Sequence, residues 1–214
     1  MQNFIREPIN SLTHWAGAVL ALFGLIAMIF KAIHAGSALA LVAVLIFGIS
    51  MILLYTASAT YHMVIAKDTI IAFLRRLDHS MIFALIAKTY APYCLISLQG
   101  RLGWTLFIVI SSLGLAGILF KMIWFHCPRW LSTILYIAMG WIAIVVIYPL
   151  SKAIGTGGIT LLIVGGLLYT IGGIIYGAKP KFLEFKHIGF HEIFHIFILL
   201  GSLAHFLSIY LYVL

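Results

Sequence analysis

Apolar residues in this chain run in long blocks broken by short polar gaps, not at the period of a strand or of a one-sided helix. A helix needs about 20 apolar residues to cross the ~30 Å hydrocarbon core of a bilayer. Seven blocks meet that length, roughly residues 12–33, 38–61, 79–98, 103–125, 131–150, 159–178 and 190–213. The gaps, 31–36, 62–77, 99–102, 125–130, 151–158 and 179–189, leave no room for a soluble domain. The pattern predicts an all-α fold in which residues 1–214 form one seven-transmembrane helix bundle. The first block is long enough to span and no small-residue cleavage site follows it, so it reads as a helix of the fold and not as a cleaved signal.

Glycine and proline refine these elements. Gly165–Gly166 and Gly172–Gly173 lie seven apart and predict one smooth face for close helix approach. Residues 151–158 read as an external turn, and Pro92 predicts a kink in the third helix. Trp104, Trp124 and Trp130 fall at block ends, as interfacial belts require, whereas Trp141 falls mid-block and is expected to pack against a neighbouring helix.

Composition narrows the class further. Of 214 residues, 64% are hydrophobic and 8% charged, with a mean hydropathy of +1.18. A soluble domain carries about 25% charged residues, which excludes a soluble enzyme, a disordered chain and a disulfide scaffold. The net charge of +8 arises from 13 Lys and Arg against 5 Asp and Glu. No basic cluster interleaved with aromatics accompanies it, so nucleic acid is not an expected partner. The cations sit in the gaps, where they report orientation. Arg6, Lys67, Arg75, Arg76, Lys121, Arg129, Lys179, Lys181 and Lys186 fall on one side, and Lys31, Arg101 and Lys152 on the other. That bias places the N-terminus in the cytoplasm and the C-terminus outside. Cys94 and Cys127 then lie toward opposite faces, too far apart for a disulfide.

Ionisable groups within apolar spans are costly, so each is a functional candidate. Ser58 and His62 share a helix face at the end of the second span, and Asp78 and His79 open the third at the same level. His191 and His195 are four apart at the start of the seventh, and Glu7, Asn10 and His14 fall at i, i+3 and i+7 where the first begins. Four distant segments therefore bring their polar groups to one depth. Two histidines four apart on a helix can bind one metal. Zinc accepts imidazole nitrogens, and catalytic sites use three protein ligands plus a water. His62 is the natural third ligand beside His191 and His195, and Asp78 would bind the metal directly or hold its water and accept a proton.

Each residue also has a plainer structural role open to it. Ser58 would hydrogen-bond its own backbone, Glu7 would serve as a helix N-terminal carboxylate ahead of Pro8, and His79 would be interfacial. Ser202 and His205 continue the face of His191, with His205 about 15 Å deeper than His195 by helical rise. They would line a wet cavity running toward mid-membrane, or hydrogen-bond a neighbouring helix. Lys88, inside the third span, would snorkel, pair with a buried acceptor or face that cavity.

Glu7-x-x-Asn10-x-x-x-His14, Ser58-x-x-x-His62 with Leu77-Asp78-His79-Ser80, and His191-x-x-x-His195 resemble the three signature blocks of the hemolysin III family. That family is akin to the progestin and adiponectin receptors and, more distantly, to the alkaline ceramidases. The resemblance covers nearly the whole chain. It implies a seven-helix bundle with a cytoplasmic N-terminus in the cell (plasma) membrane, the inner membrane of a bacterium. It also implies zinc as cofactor, with His62, His191 and His195 as its ligands, Asp78 acting through the metal water and Ser58 beside it. Met81 and Lys88 stand where related bacterial members often have Gly, a departure that bears on cavity shape.

Three functions follow. The first is a zinc-dependent intramembrane hydrolase of a lipid amide or ester, with membrane lipid as substrate and Glu7, Asn10, His14, Ser202 and His205 around the substrate or behind the metal ligands. The second is a receptor or lipid-homeostasis regulator with structural zinc. The third is a hemolysin-like cytolytic or pore-forming protein.

Overall fold

A computed structural model describes residues 5–124, 126–185 and 188–214. Phe125, at the predicted end of the fourth span, Lys186 of the charge bias and His187 of the last gap lie outside the described residues. Among those described, every regular element is helical. The α-helices are α1 (Pro8–His34), α2 (Ala38–Met63), α3 (Asp68–Pro92), α4 (Gly100–Ile123), α5 (Arg129–Trp141), α6 (Ile147–Ala178) and α7 (Phe190–Ser208). Helices α3 and α7 run on into single π-helical turns, Tyr93–Leu98 and Ile209–Val213.

Local chemistry sets these boundaries. Pro8 opens α1, and Gly36 follows its end at φ +67, the left-handed conformation a Cβ disfavours. Ser37 caps α2 by accepting from the Ala40 N–H at 3.1 Å. At α7 the Glu192 carboxylate accepts from the Gly189 N–H at 2.8 Å, half of a capping box.

Six helical segments are long and apolar enough to cross a membrane: Pro8–His34, Ala38–Met63, Asp68–Leu98, Gly100–Ile123, Arg129–Ala178 and Phe190–Val213. Their outward faces are apolar, with Leu20, Phe23 and Phe30 exposed on α1 and Ile108 and Leu115 on α4. Asn10, His14, Ser58, His62, His195 and Ser202 are buried. Apolar side chains outside and polar ones inside invert the pattern of a soluble globule, and a lipid environment accounts for the inversion.

The segments differ from the expected blocks at the start of the third. Helix α3 starts at Asp68, well before residue 79, because backbone hydrogen bonding tolerates the charged turn Arg75–Arg76 that ends an apolar run. Residues 151–158, expected as an external turn, hold a break at Gly155, with φ 65 and ψ 179, where the helical run Arg129–Ala178 divides in two. A short 3₁₀ turn, Ile142–Val146, links α5 to α6. Pro92 has no N–H to give the Lys88 carbonyl, and the helix widens there into the π turn Tyr93–Leu98 instead of stopping.

Helices α1, α2 and α3 pack in sequence, α5, α6 and α7 do likewise, and contacts between α1 and α7 and between α3 and α5 close the ring. Helix α4 packs mainly on α3 from outside. Trp141 does reach a neighbouring helix, its Nε1 donating to Thr170 Oγ1 at 2.9 Å. Lys88 turns toward α4, with Nζ 3.3 Å from Ser111 Oγ and over the Phe107 ring, while Met81 packs into the main apolar core. The glycine face of α6 is split. Gly165 lies against His205 and Gly172 against Phe197 of α7, whereas Gly173 approaches Thr133 and Ile137 of α5 and Gly166 touches nothing within 4 Å. Seven residues repeat a face, but adjacent ones stand about 100° apart, so Gly165 and Gly172 face α7 while Gly173 faces α5.

Close approach elsewhere is sharper. A Cβ at Gly48 of α2 would lie 2.9 Å from the Leu25 Cβ of α1, which cannot swing away. Gly48→Ala is expected to cost about 1–3 kcal/mol, read as a lower thermal unfolding midpoint in detergent. Gly140→Ala, where nothing lies within 4 Å, is expected to leave it unchanged or slightly raised.

A buried histidine cluster and its carboxylate supports

The polar groups of four helices meet at one end of the bundle. The chain before α1 lies along the end of α2, where the Glu7 N–H donates to the His62 carbonyl at 2.9 Å and the Arg6 N–H to that of Met63 at 3.3 Å. This pairing brings the Glu7 carboxylate to His62, with Oε2 2.7 Å from Nδ1. Glu7 makes no capping bond to its own helix, so its role is toward the neighbouring imidazole and not the helix end. The hydrogen bond from His62 is the main reason its carboxyl is held down at about 2, so Glu7 is a carboxylate at neutral pH.

His62 is fully buried, and its Nε2 has no hydrogen-bond partner among the described residues. One ligating atom from each of His62, His191 and His195 lies within 4.8 Å of the others. Ring centroids are 4.9 Å apart for His62 and His191, 5.0 Å for His62 and His195, and 4.8 Å for His191 and His195. His195 Nδ1 approaches Thr13 Oγ1 at 3.4 Å. His14 stacks on His195 with centroids 3.6 Å apart and planes 7° from parallel, and both of its nitrogens are buried without hydrogen-bond partners among the described residues. The histidines anticipated from α1, α2 and α7 are therefore together. Three imidazoles within reach of one another, one of them fixed at Nδ1 by a carboxylate, form a donor set suited to a metal that prefers nitrogen.

Asn10, anticipated behind the ligands, meets a carboxylate that the sequence pattern did not single out, Glu192. Asn10 Nδ2 lies 2.7 Å from Glu192 Oε1 and 3.2 Å from Glu7 Oε2, so one amide joins carboxylates of α1 and α7. Glu192 stands between the two histidines in an H-E-x-x-H pattern, whose Glu is the general base of helical zinc proteases. Here its two oxygens instead serve Asn10 and the Gly189 N–H. Its place three residues after Gly189 was the available signal, since a carboxylate there reaches back to the helix start.

A cavity of about 400 Å³ begins at this cluster, with His14, Ser58, Asp78, His191 and His195 on its wall, and extends to Leu150, Leu162 and His205. Between these ends the lining is predominantly apolar, with Leu54, Ile82, Leu85 and Ile198 among its residues. Of the two roles open to the polar stripe on α7, lining a cavity falls to His205. Ser202 does not line it; its hydroxyl joins helices, 2.5 Å from Tyr55 Oη and 2.7 Å from Tyr169 Oη. Asp78 Oδ2 lies 3.3 Å from His79 Nδ1, and His79 Nε2 lies 2.9 Å from Tyr176 Oη. His79 thus links Asp78 to α6 at the bundle's edge.

An apolar-surfaced helical bundle with its polar groups and three clustered histidines gathered inside one end defines a multi-pass membrane protein. The chain belongs to the haemolysin-III related family, whose model matches residues 2–206. It is 42% identical over 217 residues to a Bacillus cereus protein named Hemolysin-3, covering 100% of this chain and 95% of the relative. It is 40% identical over 210 residues to the Hemolysin-3 homolog of Bacillus subtilis (strain 168), covering 97% and 95%.

The Asn10 bridge makes a direct prediction. Asn10→Ala leaves a Glu192 oxygen without that donor, and a loss of about 1–3 kcal/mol is expected. Asn10→Asp sets a third carboxylate between two others and is expected to lower the unfolding midpoint further than Asn10→Ala does.

Proposed function

We propose that this protein is a zinc-dependent hydrolase of a lipid amide or ester, its metal held by His62, His191 and His195. The observation that carries the reading is the fully buried His62, with Nδ1 committed to Glu7 and Nε2 lacking a partner beside two other imidazoles. A neutral ring whose Nδ1–H is tied to a carboxylate offers Nε2 as a ligand, the usual arrangement behind a metal-bound histidine. Zinc bound there would polarise a carbonyl and make a water acidic near neutral pH.

The chain's own groups supply the rest. Asp78 borders the same cavity as His191 and His195. It takes the proton of the attacking water and returns it to the leaving amine or alcohol. Ser58, from α2, donates to the carbonyl oxygen as negative charge develops. The apolar stretch of the cavity accepts the acyl chain and excludes water around the reacting bond. A regulator with structural zinc would use the same histidines but assigns no task to Asp78 and Ser58 on the cavity wall. A lytic pore, the function suggested by the relatives' names, would need a polar channel where this cavity is largely apolar.

We read the bundle as seven crossings with a cytoplasmic N-terminus and an outer C-terminus, in the plasma membrane. The run Arg129–Ala178 has 50 residues and would measure about 75 Å if straight, more than twice the hydrocarbon core. The break at Gly155 supplies a place for it to turn.

Metal analysis of purified protein is expected to give about one zinc per chain. Full zinc content in His62→Ala would remove that residue as a ligand. Glu7→Gln, which keeps shape but loses the charge behind His62, is expected to weaken zinc affinity about 10–100-fold. With a long-chain fluorogenic amide, Asp78→Ala is expected to keep its zinc and lose at least about 100-fold in turnover. Turnover equal to wild type would remove Asp78 as the base.

A further inference from the structure

The deep part of the cavity holds a polar side chain that an unsubstituted acyl chain would leave without a task. His205, from α7, is 6% exposed and lines the cavity. Its ring packs against Tyr169, with centroids 5.2 Å apart, and against Gly165 of α6, where a Cβ would lie 2.8 Å from Nε2. These contacts seat the ring without hydrogen-bonding it. Its Nδ1 is buried with no hydrogen-bond partner among the described residues.

Hydroxyls on the same wall are differently placed. Thr89 Oγ1 donates to the Leu85 carbonyl at 2.8 Å, Tyr90 Oη donates to that of Gly140 at 2.7 Å, and Tyr169 Oη lies 2.7 Å from Ser202 Oγ. Those groups are satisfied by the protein itself, whereas the imidazole is not. A polar group kept in the membrane interior without a partner is costly, so its presence on a cavity wall points to a ligand that supplies one.

The distance from the histidine cluster fixes where that ligand must be polar. Helix α7 is continuous from Phe190 to Ser208, so His205 stands about 15 Å beyond His195 along it. An extended hydrocarbon chain with C–C bonds of about 1.5 Å advances about 1.3 Å per bond, and about 12 bonds cover that distance. The cavity has no Lys or Arg among its described lining residues, so a second carboxylate would find no counter-charge there. A hydroxyl needs none. It donates to an unprotonated imidazole nitrogen or accepts from the ring N–H, whichever tautomer is present.

We propose that the cavity binds an acyl chain hydroxylated near its twelfth carbon, with the hydroxyl on His205. This rests on the reading of the cavity as an acyl site with the carbonyl at the histidine cluster, and it requires no turnover. Leu54, Ile82, Leu85 and Ile198 meet the methylenes between the two polar ends. His205 is then the residue that distinguishes a hydroxylated chain from a plain one, because only the former pairs its ring.

The test is competition for tritiated octadecanoate on the full chain, as purified in neutral detergent. The competitors are unlabelled octadecanoate, 12-hydroxyoctadecanoate and 6-hydroxyoctadecanoate, the last equally polar but with its hydroxyl placed against the apolar wall. The 12-isomer is expected to bind about tenfold more tightly than octadecanoate, the scale of one hydrogen bond to a group otherwise left unpaired. It is also expected to bind more tightly than the 6-isomer. His205→Phe is expected to abolish the preference for the 12-isomer over octadecanoate. Equal affinities for the three acids in the wild-type protein overturn the hydroxyl subsite and leave the acyl site standing. A preference that His205→Phe retains removes His205 from the subsite. Failure of all three acids to bind saturably overturns the acyl-site reading together with this proposal. If His205→Phe does not fold, the comparison of 12- and 6-isomers on the wild-type protein carries the test.

Discussion

A buried imidazole in a bilayer needs a partner for each ring nitrogen, because no water is present to supply one. His62 meets that constraint on one side through Glu7 at 2.7 Å, and the rest of the site follows from it. To deliver Glu7, the chain before α1 must run along the end of α2, which the two backbone bonds to His62 and Met63 enforce. To hold Glu7, Asn10 bridges to Glu192 and so brings the start of α7, with His191 and His195, against α1. The remaining nitrogen of His62 then stands among imidazoles, and its demand is what a metal would answer.

The same inversion that buries these groups shapes the space beside them. With apolar faces turned outward to lipid, the interior carries hydroxyls, imidazoles and a cavity of about 400 Å³. That cavity is polar where it touches the cluster and apolar beyond it. Ser202, tied to Tyr55 and Tyr169, braces α2, α6 and α7 along its depth.

Much of this was legible in the chain. Blocks of apolar residues located the helices, because bilayer thickness fixes their length, and rare buried polar residues marked the site, because they are too costly to keep without use. The spacing of His191 and His195 and the shared depth of His62 anticipated the cluster. What stayed hidden depends on direction. Glu7 could face its own helix or a neighbour, and only the pairing of its backbone with α2 decides between them. Glu192 followed a catalytic pattern yet turned to Asn10. The early start of α3 escaped because hydropathy measures solvent preference, whereas a helix is closed by backbone bonds that charged turns also make.

The most direct test of the account is X-ray absorption at the zinc edge on the purified protein. Three imidazole nitrogens at about 2.0–2.1 Å with one further oxygen ligand is the predicted coordination, and His62→Ala should lower the imidazole count by one. A spectrum of zinc bound by sulfur at about 2.3 Å, or one that His62→Ala leaves unchanged, would contradict it.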